Sequence, residues 1–117
     1  MEQIKAKFSV LYSEEADAFL SSLKEKVRTK IISNIRKASY SNDPELFKKL
    51  ESTDIWEFRT RFDGLQYRLL AFWDKTNNKN TLVIATHGFV KKTQKTPKSE
   101  IAHAENIMNV YFNQKRK

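Results

Sequence analysis

Glu57, Arg59, Arg61, Arg68, His87 and Lys91 are the residues of this 117-residue chain whose types and spacing suit chemistry. Glu57, Arg59 and Arg61 stand two apart in the run from Ile55 to Phe62. In an extended strand they share one face, roughly 6–7 Å per step of two residues. Arg68 lies in the next apolar run, across an Asp63-Gly64 turn, and His87 and Lys91 come from the end of a third run. The set is one carboxylate, one imidazole and several cations, and it suits a phosphodiester. RNA can be cut without metal by its own 2′-hydroxyl. That needs a proton acceptor, donors for the developing negative charge and an acid for the leaving oxygen. Arg59, Arg61 and Arg68 could hold the scissile phosphate. Glu57 or His87 could accept the proton, and His87 or Lys91 could donate to the leaving group. Tyr67, Trp73 or Phe89 could stack a base if exposed. A structural role competes with this. Arg68 among apolar neighbours is costly unless it is paired, and Glu57 and Asp63 are the partners within reach. His103 has no matching ligand and reads as a surface or edge histidine.

The charge distribution points the same way. The formal net charge is +8. Residues 1–58 carry ten basic and ten acidic side chains, residues 59–98 nine and two, and residues 99–117 three and two. The excess therefore lies in the segment that holds the arginines. Solubilising charge alone would not concentrate so, and a localised positive field favours a polyanion or an acidic protein partner. No cysteine is present, which excludes disulfides and cysteine-based metal sites or catalysis. Two histidines without ligand spacing give no expectation of a metal. No nucleotide-binding glycine loop or nucleophile elbow appears. No signal segment or apolar run of spanning length is visible, so a cytoplasmic protein with no membrane partner is expected.

The elements that must position these residues read as one domain over residues 1–117. Ile4 to Tyr12 alternates as a half-buried strand. Ser13 caps a helix, with Glu14, Glu15 and Asp17 in its first turn. Ala16, Phe19, Leu20, Leu23, Val27, Ile31, Ile35 and Ala38 then form one apolar stripe, either a single long helix or, with the bend near Ser21-Ser22 that a compact domain favours, a helical hairpin. Asp43-Pro44 starts a short helix to Leu50. Three strands follow, Ile55–Phe62, Leu65–Trp73 and Thr81–Val90, the first two joined by a tight Asp63-Gly64 hairpin. On the last, Val83, Ala85, His87 and Phe89 share a parity. Thr96-Pro97 opens a final helix striped by Ile101, Ala104, Met108, Tyr111 and Phe112, and Lys115 to Lys117 reads as a frayed tail. The expected fold is α+β: a small, mainly antiparallel sheet with an N-terminal helical hairpin, a C-terminal helix, and helices mainly on one side.

Ile55-Trp56-Glu57-Phe58-Arg59-Thr60-Arg61-Phe62, Gln66-Tyr67-Arg68-Leu69-Leu70 and His87-Gly88-Phe89-Val90-Lys91-Lys92-Thr93-Gln94-Lys95-Thr96-Pro97 together resemble the RelE/ParE superfamily of bacterial toxins, closest to its HigB-like, phage-derived branch. The resemblance implies a type II toxin that cleaves mRNA in the 30S ribosomal decoding site. It implies no cofactor and a cognate antitoxin with a helix-turn-helix domain, through which alone the protein would meet DNA. A ParE-type gyrase inhibitor and an inactive antitoxin-binding protein are the alternatives. Tyr67-Arg68 matches the position of a phosphate-binding arginine in RelE-type nucleases, and Arg59 a catalytic basic position. Glu57 falls where members carry lysine or an acid, and His87 is the nearest counterpart of a C-terminal His or Tyr. Arg59, Arg61, Tyr67, Arg68, Lys91, Lys92 and Lys95 make up the expected RNA-binding set. Arg68→Ala is expected to remove toxicity with the fold intact.

Overall fold

The computed structural model describes residues 6–76 and 81–116. Its elements in chain order are β1 (Ser9–Tyr12), α1 (Glu14–Ser22), α2 (Glu25–Tyr40), β2 (Phe47–Lys49), β3 (Trp56–Phe62), β4 (Leu65–Asp74), β5 (Leu82–Lys91) and α3 (Lys98–Lys115). The strands form one sheet in the order β1-β5-β4-β3-β2. β1 runs parallel to β5, and every other pairing is antiparallel. The first strand is shorter than its alternation implies, and residues 1–5 lie outside the described residues.

Local chemistry sets the helical hairpin. The Ser13 hydroxyl oxygen accepts from the Ala16 N–H at 3.1 Å, and three acidic residues complement the positive end of α1. The helix stops at Leu23, whose backbone is extended. The apolar stripe then resumes on α2, and the two helices bury it against Phe58, Tyr67, Leu69, Ala71, Val83 and Ala85 of the sheet. The turn between β3 and β4 places both Asp63 (φ 53°) and Gly64 (φ 78°) in the left-handed region. That is the geometry a two-residue hairpin loop requires.

Three features depart from the sequence reading. Pro44–Leu50 is not a helix. It makes a single turn, with the Asp43 carbonyl accepting from Leu46 and Phe47, and then enters β2. Stacking of Phe47 on Phe58, with ring centroids 4.1 Å apart, and pairing with β3 override the local helical signal. The helices also divide between the two faces. α3 packs on the face opposite the hairpin, against Ile55, Leu70, Phe72 and Ile84. This is why β4 carries apolar residues on both parities. Finally, Lys115 ends α3 in a fixed contact instead of fraying. Its Nζ lies 2.7 Å from Asp74 Oδ2.

Asp74 anchors the end of α3. Its carboxylate is buried and also accepts from the Tyr111 hydroxyl at 2.5 Å and from the Thr76 side chain and backbone. Burial pushes its pKa up, but the bonds from Lys115, Thr76 and Tyr111 outweigh this and hold it well below the usual carboxylate range. A depressed carboxylate contributes stability above its unfolded pKa of about 3.9, lost as the pH falls toward the folded value. Asp74→Asn should therefore cost about 1–3 kcal/mol at neutral pH. The difference from wild type in urea unfolding should shrink as the pH is lowered below about 4. A constant difference across that range would remove the ionic role given to Asp74.

Gly88 of β5 lies directly against Phe19 of α1. A Cβ there would stand 2.2–2.8 Å from the ring atoms of Phe19. Gly88→Ala should destabilise by about 1–3 kcal/mol through overpacking. Trimming the neighbour with Phe19→Leu should recover part of that loss in the double variant.

Candidate functional site

The face beneath the end of α3 gathers the chemistry. Alternation along β3 sets Glu57, Arg59 and Arg61 on this face. Pairing brings in the rest: Arg68 lies opposite Arg59, Gln66 opposite Arg61, and Lys48 of β2 opposite Glu57. On β5, Lys91 lies opposite Gln66 and His87 opposite Leu70.

His87 and Lys91 reach this face only because β5 is irregular. Ala71 pairs with Ala85 and Leu70 with His87, so Thr86 is an extra residue. Its hydroxyl donates to the Leu70 carbonyl at 3.1 Å. Such a bulge reverses the parity of the residues beyond it. Val83 and Ala85 face the hairpin, whereas His87, Phe89 and Lys91 face the arginines. The sequence reading put Val83, Ala85, His87 and Phe89 on one face, and the bulge corrects it.

Glu57 sits at the floor, 3% exposed. Its Oε1 is 3.3 Å from Arg68 Nε and 3.5 Å from Arg59 Nε, and its Oε2 accepts from the Thr96 hydroxyl. Arg68 is 4% exposed. Its Nη2 donates to Gln66 Oε1 at 2.6 Å and its Nη1 to the Tyr67 carbonyl at 3.1 Å. The two Nε groups are close enough to Glu57 to be ion-paired, but they lack hydrogen-bond alignment and have no other partner. Guanidinium donors are thus left over around a single carboxylate.

The electrostatics reflect this crowding. Burial lowers the Arg68 pKa; Glu57 opposes this, and Arg59 and Arg61 add to it. Burial likewise lowers Lys91, helped by Arg68, Arg59 and Lys48 and opposed by Glu57. Arg59 and Arg68 stand directly opposite each other, a like-charge pairing that destabilises a sheet unless an anion relieves it. Beside them opens a cleft of about 370 Å³ lined by Glu45, Arg59, Thr60, Arg61, Gln66 and Arg68. The arrangement can take a phosphate-sized anion on the bidentate donors of its guanidinium groups.

The sequence candidates divide. Glu57, Arg59, Arg61, Arg68 and Lys91 come together. Lys92 and Lys95 are exposed on the loop that Thr96 ties to Glu57. His87 is turned toward α3. Its Nε2 is 3.1 Å from Glu100 Oε1, its Nδ1 is 3.1 Å from the Thr86 hydroxyl, and its ring meets that of His103 at 4.6 Å. Burial lowers its pKa against the opposing pull of Glu100. His103 is an edge histidine as read, 2.7 Å from Glu15 of α1. Tyr67 requires correction. It lies on the other parity of β4 and is buried in the core beneath the hairpin, so it presents no ring face for a base. Trp73 packs among Phe8, Phe47 and Trp56. Lys48, Gln66 and Thr96 were missed as site residues. Lys48 was hidden by the helical reading of its segment, and Gln66 and Thr96 carry no charge to mark them. Among the described residues no group of three or more His, Cys, Asp or Glu side chains could hold a metal ion. No helix among them is long and apolar enough to cross a membrane.

Residues 18–109 match the family model described as Phage derived protein Gp49-like (DUF891). The chain belongs to this family. A search of curated proteins finds no match. Among solved structures, the fold of this Gp49-like chain is similar to that of a double arginine-to-alanine mutant of the Escherichia coli toxin RelE in the free state. The TM-score is 0.60 at 20% identity, covering 87% of this chain and 97% of that one. It is also similar to the toxin–antitoxin complex RelBE2 from Mycobacterium tuberculosis, with TM-score 0.50 and 18% identity over 72% of this chain and 98% of that one. The α+β architecture is thus that of RelE-type toxins.

Proposed function

We propose that this Gp49-like protein is the toxin of a type II toxin–antitoxin pair, of the HigB-like branch, and that it cleaves mRNA on the ribosome. The observation that carries the reading is the cluster of Arg59, Arg61, Arg68, Lys91 and Lys48 around the single buried carboxylate of Glu57. Such a surplus of donors suits an anion whose charge grows during reaction. Arg59, Arg61 and Arg68 grip the scissile phosphate and stabilise the charge that develops as the 2′-hydroxyl attacks, its proton passing to solvent water. Lys91 protonates the leaving 5′-oxygen. Glu57, with both oxygens engaged, holds the arginines apart and in register. The decoding site aligns the hydroxyl for attack and so supplies part of the catalysis. Lys92 and Lys95 add backbone contacts that raise affinity and make it salt-dependent.

The same face sets the partners. A helix-turn-helix antitoxin would shield it with an acidic segment, and DNA would be met only through that antitoxin. Primer extension on a defined mRNA, with and without programmed ribosomes, tests the reading. Cuts confined to the ribosome-containing reaction, in register with the reading frame, are expected. Growth arrest by a protein that cuts neither sample, with gyrase-linked DNA breaks instead, would replace the nuclease by a gyrase inhibitor.

A further inference from the structure

We propose that Lys91 is a site of acylation by acyl phosphates, small anions that the arginine cleft takes by their phosphate and presents to the lysine amine. The proposal needs the anion site but not the nuclease reading, so it stands or falls by itself.

Three observations meet at this residue. First, Lys91 shares the arginine face and lies opposite Gln66, whose side chain is bonded to Arg68. Gln66 of β4 separates Lys91 of β5 from Arg61 of β3, about 10 Å across at the spacing of neighbouring strands, so a phosphate held over β4 by Arg68 and Arg61 lies within the reach of the lysine side chain. Second, Lys91 is half-buried and has no ion pair among the described residues, while its neighbours Lys92 and Lys95 are exposed. Its amine has no carboxylate of its own to hold the proton. Third, burial and the like charge of Arg68, Arg59 and Lys48 outweigh the pull of Glu57 on its proton. A lysine desolvated beside other cations is the arrangement that frees an amine to act as a nucleophile.

The step balances without another reactant. The Lys91 Nζ lone pair attacks the acyl carbon and forms the amide N–C bond. The C–O bond to phosphate breaks, and its electron pair stays with the phosphate oxygen. The proton shed by the nitrogen ends on that oxygen, giving inorganic phosphate. The arginines that bound the donor stabilise the leaving dianion. The product lacks the Lys91 charge, which weakens the field of the cleft toward any other anion.

Acetyl phosphate is the probe, with acetylation at each lysine of the full chain read by peptide mass spectrometry over time. Lys91 should react about tenfold faster than Lys92 and Lys95, the return on one charge-assisted contact to the donor. Inorganic phosphate should suppress Lys91 alone. Arg61→Gln, a change at an exposed side chain that spares the core, should remove most of the preference. An uncharged acetylating reagent such as N-acetylimidazole should show much less of it. Equal rates at the three lysines, or a Lys91 preference indifferent to both phosphate and Arg61→Gln, overturns the proposal.

Discussion

Arg68→Ala is expected to abolish growth arrest and to lower the stability of the fold by about 3–5 kcal/mol. The sequence alone implied an intact fold. Burial changes that expectation. Arg68 is 4% exposed and Glu57 is 3% exposed, 3.3 Å apart. Removing one partner leaves a buried charge whose remaining neighbours are Arg59 and Thr96. Loss of growth arrest could then reflect misfolding, so a second variant must separate the two effects. Glu57→Gln with Arg68→Gln removes both charges and keeps the polar shape. The double variant should recover much of the stability lost by Arg68→Gln alone, because replacing both ions is far cheaper than orphaning one. It should remain inactive, because the side chain proposed to hold the phosphate is gone. Urea unfolding and induction of growth arrest, measured on the same set of variants, decide the matter. A stable, fully active double variant would show that Arg68 serves the fold alone.

The same pair shows how far the sequence reached. Strict alternation in Trp56–Phe62 named both the core face and the Glu57-Arg59-Arg61 face, because neighbouring strands preserve a period of two. The helical stripe and the Asp63-Gly64 turn were equally legible, since spacing and backbone preference are local. Three features were not. The bulge at Thr86 leaves no mark in composition, yet it decides that Lys91, and not Val90, joins the arginines. The strand character of Phe47–Lys49 depends on an aromatic partner eleven residues later, Phe58, which a local pattern cannot reveal. That error hid Lys48. Tyr67 sits beside Arg68 in sequence, but adjacency in a strand means opposite faces. The resemblance pointed to the pair, and only Arg68 shares the face of the other arginines.

Lys91→Arg separates charge from proton transfer. Arginine keeps a cation on the face but does not give up its proton near neutral pH. If Lys91 protonates the leaving oxygen, single-turnover cleavage on programmed ribosomes should fall roughly 10²–10⁴-fold, the usual worth of a general acid. Binding of the mRNA–ribosome complex should change little, because the phosphate-gripping arginines remain. The pH profile carries a further mark. An acid must be protonated to act, so wild-type cleavage should decline as the pH rises through the Lys91 pKa. Burial and the cations around it hold that pKa below the ordinary lysine value. The decline should therefore begin at lower pH than for an exposed lysine, and it should vanish in Lys91→Arg, whose residual rate would be flat there. A variant that cleaves at the wild-type rate with the same basic limb would move the proton donor off Lys91. His87 would then be the next residue to test, with His87→Gln preserving its bond to Glu100 but not its proton.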